Sequence, residues 1–268
     1  MTTGPPDSEA DESEPPELVP LDADEPPSVD LWSVVGDIQP WATVLLVLAW
    51  GLLFMVHAIR QQIGESSALL DWGASATGLG PFDSAWRLLA STFVHAGGAH
   101  ALSNAISMLI LGPAVERIFT RSGFLVLFVT GGCGASLASL AWRAWLHGSE
   151  TTLSVGASGA IFALGGALLV SAYRLRHRLP PTRARALAGA LAILVSQGLV
   201  AGVTRNGTDN IAHAAGLAIG VVLAVWIPMS PRLDDKPPGH VMRALGTLAA
   251  LALAVSLALA VRSGITRG

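Results

Sequence analysis

Charge is scarce in this sequence: Asp, Glu, Lys and Arg make up 13% of the 268 residues, against 51% hydrophobic. A water-soluble domain carries about 25% charged side chains, so the shortfall excludes that class, and a mean hydropathy of +0.55 assigns the chain to a membrane. Lysine is nearly missing, one against fifteen arginines, a bias associated with GC-rich bacterial genomes. The single cysteine, Cys133, excludes an intrachain disulfide and, lying inside an apolar run, reads as a packing residue. No Lys or Arg precedes Arg60, so there is no basic region of a cleavable secretory signal, and the first apolar stretch is expected to remain as an anchor.

What charge there is lies unevenly. Eleven of the nineteen acidic residues precede residue 40. Residues 1–36, rich in Pro, Asp, Glu and Ser, cannot bury enough apolar surface to offset their ordering entropy and are expected to form a disordered tail. Seven runs free of Asp, Glu, Lys and Arg follow: Pro40–Ile59, Ala99–Val115, Ser122–Trp142, Thr151–Tyr173, Ala186–Thr204, Asn210–Ser230 and Ala244–Val261. Each approaches the roughly 20 residues that cross hydrocarbon as a helix. With the N-terminus cytoplasmic, the inside connections hold ten basic residues, five of them at Arg174, Arg176, Arg178, Arg183 and Arg185, and the outside six. That asymmetry sets the expected orientation, N-terminus inside and C-terminus outside. Trp41, Trp142, Trp145 and Trp226 fall near the ends of runs, where an amphipathic ring suits the interface. The connection from Arg60 to Gly98 is long enough to suggest a functional loop.

Polar groups in hydrocarbon need a partner or a task. His95, His100, Ser103 and Asn104 stand at the start of the second run, Gly156-Ala157-Ser158-Gly159 in the fourth, and His213 with Gly216 in the sixth. In the chosen orientation these three runs all travel inward. At 1.5 Å per residue, Ser158 lies about 10 Å below the start of its run at Thr151 and His213 about 5 Å below Asn210, so they can share one layer near the outer face. A serine hydroxyl becomes a nucleophile when an imidazole accepts its proton and donors await the oxyanion. Each feature has a plainer reading. Gly-Ala-Ser-Gly alone is mostly a helix-packing sequence, Gly216 and Gly220 make a small-xxx-small face, the histidines fit a proton relay, and His100 with Asn104 can bond neighbouring helices.

Taken together and in order, these residues resemble the rhomboid proteases, from Trp86 to Gly220, about half of the chain. Trp86-Arg87, Phe93-Val94-His95, His100 and Asn104 are similar to the family's first-loop and second-helix signature, Gly112 and Glu116-Arg117 to the turn after that helix. Gly156-Ala157-Ser158-Gly159 matches the nucleophile motif and Ala212-His213 with Gly216 and Gly220 the histidine helix. The resemblance implies an all-α polytopic membrane protein: a six-helix rhomboid-like core over 37–230, then a linker and a seventh C-terminal transmembrane helix over 231–268. It implies Ser158 as nucleophile and His213 as base, then acid, with His100, Asn104 and the Ser158 N–H on the oxyanion. His95 would steady the loop near the mouth, and Phe162, at i+4 from Ser158, would pack behind the histidine ring. No acidic residue pairs with His213 in this reading, so the pair is a dyad, and Asp209 belongs to the loop.

The expected activity is intramembrane serine endopeptidase, acting on single-pass transmembrane proteins within the lipid bilayer, with the site open to the extracytoplasmic side of a bacterial plasma membrane. No cofactor, metal or nucleic acid is expected. The alternative is an inactive rhomboid-like scaffold that binds membrane proteins; it usually lacks nucleophile or base, and both stand here. A transporter would place charges deep in its helices, and the seven runs have none. A metalloprotease would need H-E-x-x-H and an aspartyl intramembrane protease two buried aspartates, and the sequence has neither.

Overall fold

The computed structural model describes residues 1, 39–79, 83, 85–147, 151–175, 181–204, 209–229 and 238–267. The acidic stretch read as a tail lies outside these apart from Met1, as do Arg176, Arg178 and most of the linker before the last helix.

Helix α1 (Trp41–Ile59) is apolar on every side, as a helix between protein and lipid must be. Thr43, Leu46, Trp50, Leu53 and His57, spaced three and four apart, form its buried stripe, while Leu45, Leu48, Leu52, Met55 and Ile59 face outward. Its N-terminus follows Pro40, which offers no side-chain cap. The orphan N–H groups are instead taken by a distant carboxylate: Thr43 N donates to Glu116 Oε1 at 2.6 Å and Ala42 N to Glu116 Oε2 at 3.2 Å. Glu116 is 1% exposed, and the positive end of a helix dipole is where a buried anion is best placed. Replacing it by alanine is expected to destabilise the protein by about 1–2 kcal/mol, the upper range for a lost cap. A detergent melting curve identical to wild type would contradict this.

After α1 the chain makes a loop of short elements: α2 (Ser66–Asp71), β1 (Ser75–Ala76), α3 (Arg87–Ala90) and a 3-10 turn at Ser91–Phe93. Arg87, 4% exposed, knits it together, donating to the carbonyls of Leu70, of Ala74 at 3.2 Å and of Asp83 at 3.1 Å. Trp72, 1% exposed, pins the loop between the end of α1, through the His57 ring at 4.9 Å, and Gly264 near the C-terminus.

Helix α4 (Gly98–His147) is two helices joined at Thr120, whose φ of 65° and ψ of 167° break the run. The expected ends at Val115 and Trp142 are corrected here. The first half runs on through Glu116 and Arg117, read as a turn, and the second through Arg143 to His147. A charge-free run marks where lipid ends, and Glu116 and Arg143 are partnered inside the protein, so the helices continue past them.

Strand β2 (Leu153–Ser154) pairs antiparallel with β1, Ser75 opposite Ser154 and Ala76 opposite Leu153. Then come α5 (Ser158–Arg174), α6 (Pro181–Thr204), α7 (Asn210–Trp226) and α8 (His240–Arg267). Helix α5 sits at the centre, buried continuously from Gly159 to Leu168 and packed on both α4 and α7. Helix α8 lies against α4, α2 and α3, with Gly246, Ala249, Leu253, Ser256, Ala260 and Gly264 as its inner stripe. By length and composition α1, α4 and α8 can cross a membrane, and α5 and α7 are shorter apolar helices of 17 residues.

Candidate active site

The apolar run from Thr151 does not begin a helix, which corrects the expectation that Ser158 lies about 10 Å down one. Thr152 N donates to Thr77 Oγ1 at 2.9 Å and the β1–β2 pairing holds residues 153 and 154 extended. Gly156 then turns the chain with φ of +106°, a conformation only glycine adopts readily, and its N–H donates to Ser91 O at 2.9 Å. A Cβ there would stand 2.5 Å from His100 Cε1 and Nε2 and 3.4 Å from Asn104 Nδ2, so position 156 needs glycine for space as well. Ser158 is thus the first residue of α5. The N–H groups of that first turn have no acceptor within the helix and sit at its positive end.

His213 is in the first turn of α7, and its Nε2 lies 2.8 Å from Ser158 Oγ, across 55 residues of sequence. Phe162 stacks on the imidazole, centroids 4.4 Å apart and planes 10° from parallel, which fixes the ring's orientation. The other ring nitrogen, Nδ1, is buried with no hydrogen-bond partner among the described residues. The helices carrying the two groups touch through backbone: a Cβ on Gly216 would overlap the Gly159 carbonyl, and one on Gly220 the Ala163 carbonyl. The small-residue face is therefore the one α7 turns to α5.

His100 and Asn104, at i and i+4 in the first turns of α4, line the same cavity of about 990 Å³ as Ser158 and His213. Asn104 is 5% exposed, and its Nδ2 has no acceptor among the described residues. A buried donor left without a partner costs about 1–3 kcal/mol, and an oxygen bound in this cavity could accept from it. His95, 2% exposed, sits edge-on between Trp50 at 5.7 Å and His100 at 5.2 Å and does not line the cavity. Among the described residues no group of three His, Cys, Asp or Glu side chains is placed to hold a metal.

One carboxylate bordering the site is assigned to the loop in the sequence reading. Asp209 borders the cavity and caps α7, accepting from Ala212 N at 3.0 Å. The local signal was present, an Asp directly before an apolar helical run.

The Rhomboid domain family model matches residues 83–230, more than half of the chain. Rhomboid protease GluP of Bacillus subtilis is 28% identical over 217 residues, 81% of this chain and 40% of that protein. Rhomboid protease AarA of Providencia stuartii is 26% identical over 203 residues, covering 70% of this chain and 72% of its own length. RHOMBOID-like protein 4 of Arabidopsis thaliana is 31% identical over 149 residues, 56% of this chain and 36% of the plant protein. The chain thus spans well under half of GluP and of the plant relative. With the matched segment running from the loop that carries Trp86 through both the serine and the histidine helix, this membrane protein belongs to the rhomboid family.

Proposed function

We propose that this chain is an intramembrane serine endopeptidase that hydrolyses peptide bonds in or near the transmembrane segments of single-pass membrane proteins with a Ser158–His213 dyad. The observation that carries the reading is the 2.8 Å approach of Ser158 Oγ to His213 Nε2 inside a cavity that also holds Asn104, whose Nδ2 has no acceptor among the described residues. Neutral His213 takes the hydroxyl proton as Ser158 Oγ attacks the scissile carbonyl. His100, Asn104 and the Ser158 N–H then stabilise the oxyanion of the tetrahedral intermediate. The imidazolium gives its proton to the leaving amine, the C–N bond breaks and an acyl-serine remains. A water activated by His213 hydrolyses that ester, returning the proton to Ser158.

The same reading treats 37–230 as a six-helix catalytic core, with the two halves of α4 as separate spans, and 231–268 as linker and seventh span. The N-terminus is cytoplasmic, and the cavity opens to the extracytoplasmic side of a bacterial plasma membrane. A substrate helix must unwind locally to offer its carbonyl, since intact helices keep their peptide groups hydrogen-bonded. A scaffold that only binds membrane proteins needs neither a serine in bonding reach of an imidazole nor a buried amide donor lining the same cavity.

A serine-reactive fluorophosphonate tests the assignment without a known substrate. Wild-type protein in detergent should label covalently at Ser158, and absence of label would remove the hydrolase reading. With a model transmembrane substrate, Asn104→Ala should lower kcat by about 10²-fold, the loss typical of one oxyanion donor, and turnover at the wild-type rate would take Asn104 out of the mechanism.

A further inference from the structure

Capping α7 needs one acceptor, and Asp209 uses Oδ1 for it, on Ala212 N at 3.0 Å. Its other oxygen gathers three further donors from two other elements. Ser139 Oγ and Arg143 Nη2, the latter at 3.2 Å, come from the second half of α4, and Ser154 Oγ, at 3.0 Å, comes from β2. Arg143 Nε also donates to Ser139 Oγ at 3.1 Å, so the two α4 side chains brace each other. Burial alone would raise the Asp209 pKa. The hydrogen bonds from Ser139 and Ala212, the Arg143 charge and the Ser154 bond outweigh it and hold the carboxyl below its usual range, so the group is an anion at neutral pH. The spacing along the chain is parallel on both sides: Ser154 stands four residues ahead of Ser158, and Asp209 four ahead of His213.

We propose that Asp209 is a positioning residue of this site, its carboxylate tying the segment that delivers Ser158 and the second half of α4 to the first turn of α7. The inference rests on the hydrolase reading and adds a residue to it. Asp209 is not the third member of a triad, because His213 Nδ1 has no hydrogen-bond partner among the described residues and the carboxylate is engaged elsewhere. It acts through backbone. With residues 154 and 209 clamped, the four-residue arms leading to Ser158 and His213 start from one fixed point. A misplacement of about 1 Å between reacting groups can cost about 10²-fold in rate.

Asp209→Asn separates clamping from capping. Asparagine caps helices as well as aspartate, so α7 keeps its start, while the amide nitrogen has nothing to accept from Ser139, Arg143 and Ser154. In the full-length protein in detergent, kcat on a model transmembrane substrate should fall about 10- to 100-fold with KM within about twofold. The rate constant for fluorophosphonate labelling of Ser158 should fall in parallel while the melting temperature stays near wild type. Wild-type labelling and turnover in Asp209→Asn, with loss only in Asp209→Ala, would reduce the residue to a cap and overturn the proposal. Should Asp209→Asn fail to fold, Ser154→Ala decides, since it leaves both cap and ion pair in place. Labelling slowed by about fivefold would support the clamp, and an unchanged rate would overturn it. A wild-type protein that neither labels nor cleaves overturns the hydrolase reading itself, and is told apart because every other result is a ratio to an active wild type.

Discussion

Ser158→Ala and His213→Ala should each lower cleavage of a model transmembrane substrate by about 10⁴-fold or more, because nucleophile and base act as a unit and losing either removes most of what both supply. The double substitution should cost little beyond either single one. Both variants should melt within a few degrees of wild type. Ser158 gives up one hydroxyl at the edge of a cavity, and His213→Ala leaves the α5–α7 backbone contact through Gly216 and Gly220 intact. Reconstituted protein and a gel-based cleavage assay are sufficient. Full activity in Ser158→Ala would end the serine mechanism, and additive losses in the double variant would separate the two residues into unrelated roles.

Gly216→Ala should also lower activity, by less than either dyad substitution, although it touches neither reacting group. The new methyl would overlap the Gly159 carbonyl and stand 2.9 Å from the Gly159 carbonyl carbon and 3.3 Å from its Cα, all backbone that cannot rotate away. Gly159 follows Ser158 directly, so the helices must part where the serine and the histidine meet. Overpacking of this kind costs about 1–3 kcal/mol, and a separation on the order of 1 Å should lower turnover by about 10²-fold. Gly51→Ala serves as the control: a Cβ there meets nothing within 4 Å, and activity and melting temperature should be unchanged. A Gly216→Ala protein with wild-type turnover would mean that the α5–α7 distance does not govern the dyad.

The apolar helices were readable in the sequence because lipid tolerates neither charges nor open backbone groups, so a helix fit to cross it needs a charge-free interior. The ends were less readable for the same reason. Glu116 and Arg143 closed two expected runs, yet each lies within a helix and bonds to a distant partner, α1 in one case and Asp209 in the other. The candidate residues stood out because His100, Asn104, Ser158 and His213 are expensive in an apolar setting, and all four line one cavity. Thr151–Ala157 was misread because hydropathy cannot tell a short apolar extended segment from a helix. The deciding facts are the pairing with Ser75 and Ala76 and the +106° φ of Gly156. Asp209 was set aside as a loop residue because its partners at 139, 143 and 154 belong to no local pattern.

The cap on the first helix has a consequence for biosynthesis. The two N–H groups at the start of α1 are satisfied by Glu116, 73 and 74 residues further along the chain. While the ribosome is still adding that stretch, the leading helix has no side chain of its own to close its end. It must lean on water or lipid head groups until the first half of α4 arrives. Among the described helices the first in chain order therefore stays unsealed until Glu116 is in place, and a nascent chain halted short of residue 116 should hold it loosely.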